Sequence, residues 1–202
     1  MEIEKIKANL KQCLSEKRYR HSIGVAEEAV RLAKHYGADK DKAYLAGLVH
    51  DCAKEIDVQD AERLLREEYG VIPDAMKLHM PTLLHGPLGA CIAQSRFDIY
   101  DTEILDAVRY HTTGKANMSL LSKIVYIADY IEPGRDYKDV DKLRALSYRD
   151  LDEAIIYGID YTIQDLIKKR KTIHPDAVHC RNDLVIHCER KHSEKEVTEH
   201  EN

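Results

Sequence analysis

The chain has 202 residues and a formal net charge of −5, with 44% hydrophobic and 33% charged residues. This composition is typical of one globular core, and no apolar run is long enough to cross a bilayer. The negative balance argues against general nucleic-acid binding, which depends on many Lys and Arg contacts with phosphates. The amino end also lacks the basic-then-apolar pattern of a signal peptide. We therefore expect a cytoplasmic protein with no nucleic-acid partner and no membrane partner.

The five cysteines stand at irregular spacing without a CxxC pair, which predicts reduced thiols and not a disulfide framework. His179-Cys180 and His187-Cys188 could be drawn as a zinc site. A terminal helix or hairpin that carries polar residues is the simpler interpretation.

Helical periodicity dominates the first part of the chain. Apolar residues recur at helical spacing near the amino end and again from His21 to Tyr36, where Gly37 ends the run. Asp39 suits the N-cap of the next helix, which ends in the doublet His50-Asp51. Because His21 lies near the start of one helix and His50 near the end of the next, antiparallel packing would bring the two rings together.

Helices are also predicted for the rest of the chain. His85 begins one, His111 falls at the carboxyl end of another, and Asp129 lies inside an apolar helix capped by Ser119. A long helix follows from Asp150 to Lys171, then a turn and a last helix. We find no internal repeat and no convincing strand pattern. The predicted fold class is therefore all-α.

The doublet His50-Asp51 would be costly to bury in its apolar run unless something pairs it, and a divalent metal is the simplest partner. Asp129 poses the same problem in its own helix. With His21, these residues would offer two imidazoles and two carboxylates to one ion. Such mixed ligands suit Fe, Mn, Co, Ni or Zn. The alternative is a set of core polar groups satisfied by hydrogen bonds.

Five short motifs contain these residues together with His85 and His111. They are Arg20-His21-Ser22-Ile23-Gly24-Val25, Leu48-Val49-His50-Asp51-Cys52-Ala53-Lys54, His85-Gly86-Pro87-Leu88-Gly89-Ala90, His111-Thr112-Thr113-Gly114 and Ala128-Asp129-Tyr130-Ile131-Glu132-Pro133-Gly134-Arg135. Taken together, the chain resembles the bacterial HD-domain symmetrical bis(5'-nucleosyl)-tetraphosphatases, from about residue 15 to residue 182. The His50-Asp51 doublet matches the pair for which HD domains are named.

The resemblance implies an HD-domain helical bundle, which we expect over residues 1–190. The polar and charged composition from Lys191 onward predicts a disordered tail over 191–202. The resemblance also implies one metal, iron, at His21, His50, Asp51 and Asp129. The implied reaction is symmetrical hydrolysis of P1,P4-bis(5'-adenosyl) tetraphosphate to two ADP.

Further roles are expected for residues near the metal ligands. Asp51 or Asp129 would guide the proton of the attacking water, while His85 and His111 would contact the substrate phosphate or hold a second metal. Arg18, Lys54 and Arg135 are the candidate polyphosphate clamp, and surface salt bridges are the alternative. Arg170, Thr172 and Ile173 would border the nucleoside, unless they form an ordinary interhelical turn.

Two rival functions stay open. One is another HD phosphohydrolase, acting on nucleoside monophosphates, deoxynucleoside triphosphates or guanosine polyphosphates. The other is a non-catalytic metal and nucleotide sensor. In each case the partner is a small nucleotide with an ADP-like or GDP-like product, and a homodimer stays open.

Overall fold

The computed structural model describes the backbone of residues 2–200 and the side chains of residues 2–191 and 193. Within that part of the chain the secondary structure is helical without any strand, which confirms the predicted all-α class. The elements are α1 Ile3–Cys13, α2 Glu16–Tyr36, α3 Lys40–Val49, α4 Val58–Arg63, a π-helical turn Leu64–Glu68, α5 Ala75–His79, a 3-10 turn Pro81–Leu83, α6 His85–Phe97, α7 Thr102–Tyr110, α8 Leu120–Ile131, α9 Val140–Arg149, α10 Leu151–Lys168 and α11 Pro175–His200.

Polar caps begin several of these helices. The side chains of Asp39, Asp57, Asp101, Ser119 and Asp150 each accept a hydrogen bond from a backbone N–H in the first turn. Such caps satisfy amide groups that have no partner inside the helix. The caps therefore fix where the helices that carry His50 and Asp129 begin.

Helices α2, α3, α7 and α8 surround the centre of the bundle. Helices α2 and α3 approach closely at Gly47, where an added Cβ would lie 2.8 Å from the Cα of Ala26. This approach brings the rings of His21 and His50 to a centroid distance of 5.3 Å. The predicted antiparallel pairing of the two histidine helices is thus present.

No described helix has both the length and the apolar character needed to cross a membrane. The backbone of α11 continues as helix to His200. The disorder predicted for the tail from Lys191 onward stays a prediction. Glu and Lys are strong helix formers, and here they extend a helix whose earlier turns are anchored by buried Cys180, Leu184 and Cys188. Residues 201 and 202 lie outside the described residues, and the domain limit at residue 190 stays a prediction.

The two His-Cys pairs of the carboxyl-terminal region share helix α11. Eight residues of helix separate His179 from His187, a rise of about 12 Å. The pairs therefore lie too far apart to share one ion, in agreement with the simpler interpretation of a terminal helix.

Candidate functional site

The four predicted metal ligands meet in the centre of the bundle. Nε2 of His21 lies 3.0 Å from Oδ1 of Asp129 and 3.8 Å from Oδ2 of Asp51. Nε2 of His50 lies 3.5 Å from Oδ2 of Asp51 and 3.9 Å from Oδ1 of Asp129. Helices α2 and α8 and the turn that follows α3 thus place both carboxylates within 4 Å of both histidine nitrogens, which is the proximity that the sequence predicts.

Three atoms of this cluster are buried and make no hydrogen bond within the described chain: Nε2 of His21, Nε2 of His50 and Oδ1 of Asp51. Buried polar atoms in native proteins nearly always have a partner. Nitrogen and carboxylate donors of this kind could hold a divalent transition metal. The donor set therefore fits a metal ion.

The tautomers of the histidines agree with this fit. In His50, His85 and His111, Nδ1 lies 2.6–2.7 Å from the carbonyl oxygen of the residue three positions earlier. A carbonyl oxygen only accepts hydrogen bonds, so the proton resides on Nδ1. When the ring is neutral, the lone pair is then on Nε2, which faces the cluster.

His21 is held instead by Glu132, a residue to which the sequence analysis assigned no role. Nδ1 of His21 lies 3.1 Å from Oε1 of Glu132, and the backbone N–H of Gly134 donates to Oε2 at 2.6 Å. A Cβ on Gly24 would stand 2.7 Å from the same Oε2. The only signal for Glu132 in the sequence is its position, as an acidic residue between the end of α8 and the turn Pro133-Gly134.

Burial opposes the ionisation of Asp51 and Asp129, but neighbouring groups reverse its effect on their pKa values. The positive potential of His50, together with the close approach of His111 and His85, holds the pKa of Asp51 well below its usual range. His21, His50 and Arg135 do the same for the pKa of Asp129. Both groups therefore stay ionised, which is the form that a metal cation requires.

His85 and His111 lie on the other side of Asp51. Their Nε2 nitrogens are 3.0 Å apart, and they lie 3.2 Å and 3.3 Å from Oδ1 of Asp51. Nζ of Lys54 is 3.2 Å from Nε2 of His85. Burial, together with the nearby His111 and Lys54, lowers the pKa of His85 to about 4. The structure therefore joins this histidine pair to the four-residue cluster through Asp51.

Two arginines predicted to contact the substrate pair with the carboxylates of the cluster. Nη1 of Arg18 lies 2.7 Å from Oδ2 of Asp51. Arg135 donates from Nη2 to Oδ1 of Asp129 at 2.5 Å and from Nε to its backbone oxygen at 2.7 Å. Burial, and then Arg18 and Arg135, lower the pKa of the third candidate, Lys54. All three cationic side chains thus border the cluster.

Two cavities open beside the cluster, and Arg135 lines both. The first, which we call the tyrosine cleft, has a volume of about 330 Å³ and is lined by Asp129, Tyr130, Arg135, Tyr137, Tyr157 and Tyr161, among others. The second, the arginine groove, has a volume of about 800 Å³ and includes Arg18, Arg20, His21 and Glu132 in its wall. An elongated anion could therefore lie across Arg135.

The predicted nucleoside-bordering residues lie in the turn between α10 and α11. Arg170 has a left-handed backbone with φ of 51°, and none of Arg170, Thr172 and Ile173 lines the tyrosine cleft. The turn is fastened through His174, whose Nε2 lies 3.4 Å from Nζ of Lys77 and 3.3 Å from Oδ1 of Asp74. Within the described chain no side-chain hydrogen bond connects Arg170, Thr172 or Ile173 to the four-residue cluster.

Comparison with known proteins places this site in a family. The model of the HD domain matches residues 18–134. The symmetrical bis(5'-nucleosyl)-tetraphosphatase of Halalkalibacterium halodurans is 44% identical over 177 residues, which cover 88% of this chain and 94% of that protein. The enzyme of the same name from Bacillus subtilis is 40% identical over 185 residues, covering 92% and 98%.

A solved structure agrees with these matches. The crystal structure of a predicted HD superfamily hydrolase involved in NAD metabolism, from Clostridium acetobutylicum, superimposes with a TM-score of 0.90 at 43% identity. The match covers 93% of this chain and 98% of the other. The chain therefore belongs to the HD-domain family of symmetrical bis(5'-nucleosyl)-tetraphosphatases.

Proposed function

We propose that this chain is a metal-dependent hydrolase that cleaves P1,P4-bis(5'-adenosyl) tetraphosphate symmetrically into two molecules of ADP. The observation that carries the proposal is a set of buried atoms on His21, His50 and Asp51 that have no hydrogen-bond partner among the described residues, next to two cavities that share Arg135. The curated relatives with this name match nearly the whole chain and support the choice of reaction.

His21, His50, Asp51 and Asp129 would hold the metal. A bound divalent cation would supply a water molecule of lowered pKa and would polarise a phosphoryl oxygen. The donor set is compatible with iron, which the family resemblance implies, and also with Mn, Co, Ni or Zn. Iron is therefore the first ion to test.

Side chains around the metal site would guide the proton of the attacking water and neutralise the negative charge of the phosphates. Asp51 or Asp129 would guide the proton of the attacking water, and Oδ1 of Asp51 makes no hydrogen bond within the described chain. Arg18 and Arg135 would neutralise charge on the phosphates with the N–H groups that their pairing with Asp51 and Asp129 leaves over. Lys54 would add a point charge beside them.

His85 and His111 would contact the phosphate that is attacked. Their paired Nε2 nitrogens face one carboxylate oxygen, so a proton shared between them would be directed toward an anionic substrate. A second metal at His85, His111 and Asp51 is the alternative that the same nitrogens would permit. Retention of metal in a His111 variant distinguishes the two, because only the second arrangement makes this residue a ligand.

The remaining assignments stay predictions of the sequence and of the resemblance. They are the nucleoside-bordering role of Arg170, Thr172 and Ile173, a cytoplasmic location, the absence of nucleic-acid and membrane partners, and a possible homodimer.

The deciding experiment is product analysis with metal-reconstituted protein in heavy-oxygen water. A panel of dinucleoside polyphosphates, nucleoside monophosphates, deoxynucleoside triphosphates and guanosine polyphosphates would be incubated and separated by chromatography. We expect the diadenosine tetraphosphate to yield only ADP from the first turnover, with label in ADP. Formation of AMP and ATP would contradict symmetrical cleavage, and turnover of none of these compounds would favour the sensor.

A further inference from the structure

Two of the tyrosines that line the tyrosine cleft, Tyr137 and Tyr161, have neighbouring rings. The ring centroids of Tyr137 and Tyr161 lie 6.4 Å apart with planes inclined by 32°. Two carbon surfaces in contact are separated by about 3.5 Å, so a planar ring held between two others needs roughly 7 Å. The present spacing of Tyr137 and Tyr161 is that of a direct aromatic pair and is narrower than this, so the Tyr161 ring must turn outward before a base can stack between the two rings.

The two rings differ in how firmly they are held. The hydroxyl of Tyr137 donates to the backbone oxygen of Tyr130 at 2.9 Å, which fixes that ring beside the end of α8. Tyr161 projects from α10 and is 50% exposed. One wall of the gap is thus anchored, while the other can adjust its rotamer to meet a ligand.

Gly158 lies in the wall of the cleft, one helical turn before Thr162. An added Cβ at this position would meet only the Tyr130 ring, at an ordinary contact distance of 3.7 Å, and the backbone is not in the left-handed region. Neither packing nor backbone conformation requires glycine here, although a helix interior favours alanine. The missing side chain instead leaves space in the cleft.

Charged residues at one end of the cleft indicate how a bound ligand would be oriented. Asp129 and Arg135 are shared between the cleft and the metal cluster, and Lys138 also lines the cleft. A ligand with an aromatic body between the tyrosines would therefore carry its anionic part toward Arg135. A nucleoside diphosphate has this distribution of groups.

We infer that Tyr137 and Tyr161 clamp one nucleobase of the substrate by stacking, while Arg135 contacts the phosphates attached to it. This inference rests on the proposed function, because it names the subsite for one half of the dinucleotide. It adds a base-binding pair that is independent of the turn at residues 170–173.

The test compares binding of ADP and of inorganic pyrophosphate to metal-loaded protein by calorimetry. Stacking of a base on an aromatic side chain corresponds to roughly a fivefold to hundredfold change in affinity. We therefore expect Tyr161→Ala to weaken ADP binding by at least about fivefold and to leave pyrophosphate binding unchanged, whereas Tyr161→Phe keeps ADP affinity close to that of the parent protein. Tyr100→Ala, at a tyrosine that is 67% exposed outside the cleft, serves as the matched control.

A second variant tests the same cleft without removing a ring. Gly158→Ala should raise the melting temperature slightly, because alanine is favoured in a helix, yet it should weaken ADP binding more than pyrophosphate binding. Unchanged ADP affinity in Tyr161→Ala, or an equal loss of ADP and pyrophosphate affinity, would overturn the clamp.

Turnover of the tetraphosphate by the parent protein is measured separately. If ADP binding depends on Tyr161 but the parent protein releases no ADP, the clamp stands and the proposed hydrolysis fails. If the parent protein hydrolyses the tetraphosphate but Tyr161→Ala leaves ADP affinity unchanged, only the stacking clamp is contradicted.

Discussion

Glu132 holds His21 by a contact of 3.1 Å between Oε1 and Nδ1, and this carboxylate is itself only 5% exposed. A carboxylate that accepts from the far nitrogen of a metal-ligating histidine fixes its tautomer and ring orientation. Glu132 would therefore act on a metal held by His21 as a positioning residue.

We expect Glu132→Ala to weaken metal binding by roughly 10-fold to 100-fold, as is typical when such a partner is lost. Glu132→Gln should lose less, because the amide oxygen still accepts a hydrogen bond from Nδ1 of His21. Competition with a chelator of known affinity measures both values. Glu27→Gln, which changes an exposed acid near the same groove, is the control.

The crowding between Gly24 and Glu132 provides a second check on this assignment. Gly24→Ala should weaken metal binding when Glu132 is present, because the new Cβ would stand 2.7 Å from Oε2. In the Glu132→Ala background the same change should have no further effect on the metal. Additive effects of the two changes would contradict the assignment.

Asp129→Ala should abolish both metal retention and turnover. The substitution removes a carboxylate from the donor set but leaves the apolar face of α8 intact, so helix content should be nearly unchanged. Metal analysis after gel filtration and far-ultraviolet circular dichroism measure the two properties. A variant that keeps its metal and its activity would remove Asp129 from the proposed ligands.

His111→Ala should keep the metal but lose activity. If His111 serves the phosphate and not the ion, the loss of a positioned proton-transfer group should lower kcat by about 100-fold to 10,000-fold. Metal content and kcat are measured on the same preparation. Loss of metal would move His111 into a coordination sphere and favour the two-metal arrangement.

Neutral substitution of Arg18, Lys54 or Arg135 should weaken ADP binding and reduce its dependence on salt concentration. A charge-assisted hydrogen bond contributes about 1.5–3 kcal/mol, which corresponds to roughly tenfold or more in affinity. Titrations of ADP at several salt concentrations measure this effect. Arg63→Gln, which removes an exposed arginine paired with Asp60, is the control, and unchanged affinity in all three variants would place the clamp elsewhere.

The fold and the proximity of His21, His50, Asp51 and Asp129 could be predicted because their signals are local. Polar caps such as Asp39 and Ser119 precede apolar helical runs, and the doublet His50-Asp51 stands out within one of those runs. A buried carboxylate among apolar neighbours, as at Asp129, is costly enough to indicate a partner.

The tyrosine cleft and Glu132 could not be found in this way. Tyr137 lies in the aperiodic connection between α8 and α9 and Tyr161 in the amphipathic helix α10, so the packing of α10 against α8 and α9 makes them neighbours. The role of Glu132 depends on the close approach of Gly24 in α2. Neither relationship leaves a periodic trace in the sequence.

The tyrosine cleft and the four-residue cluster are both built on helix α8, because Tyr130 and Asp129 are consecutive residues of that helix. The distance from a base held in the cleft to the point of attack is thus a fixed length, and the protein would work as a molecular ruler. The cleaved bond would then always lie the same number of phosphates away from the base that is bound in the cleft. A pentaphosphate bridge would then be cut to ADP and ATP and a triphosphate bridge to ADP and AMP, so every substrate would release ADP whatever the length of its bridge.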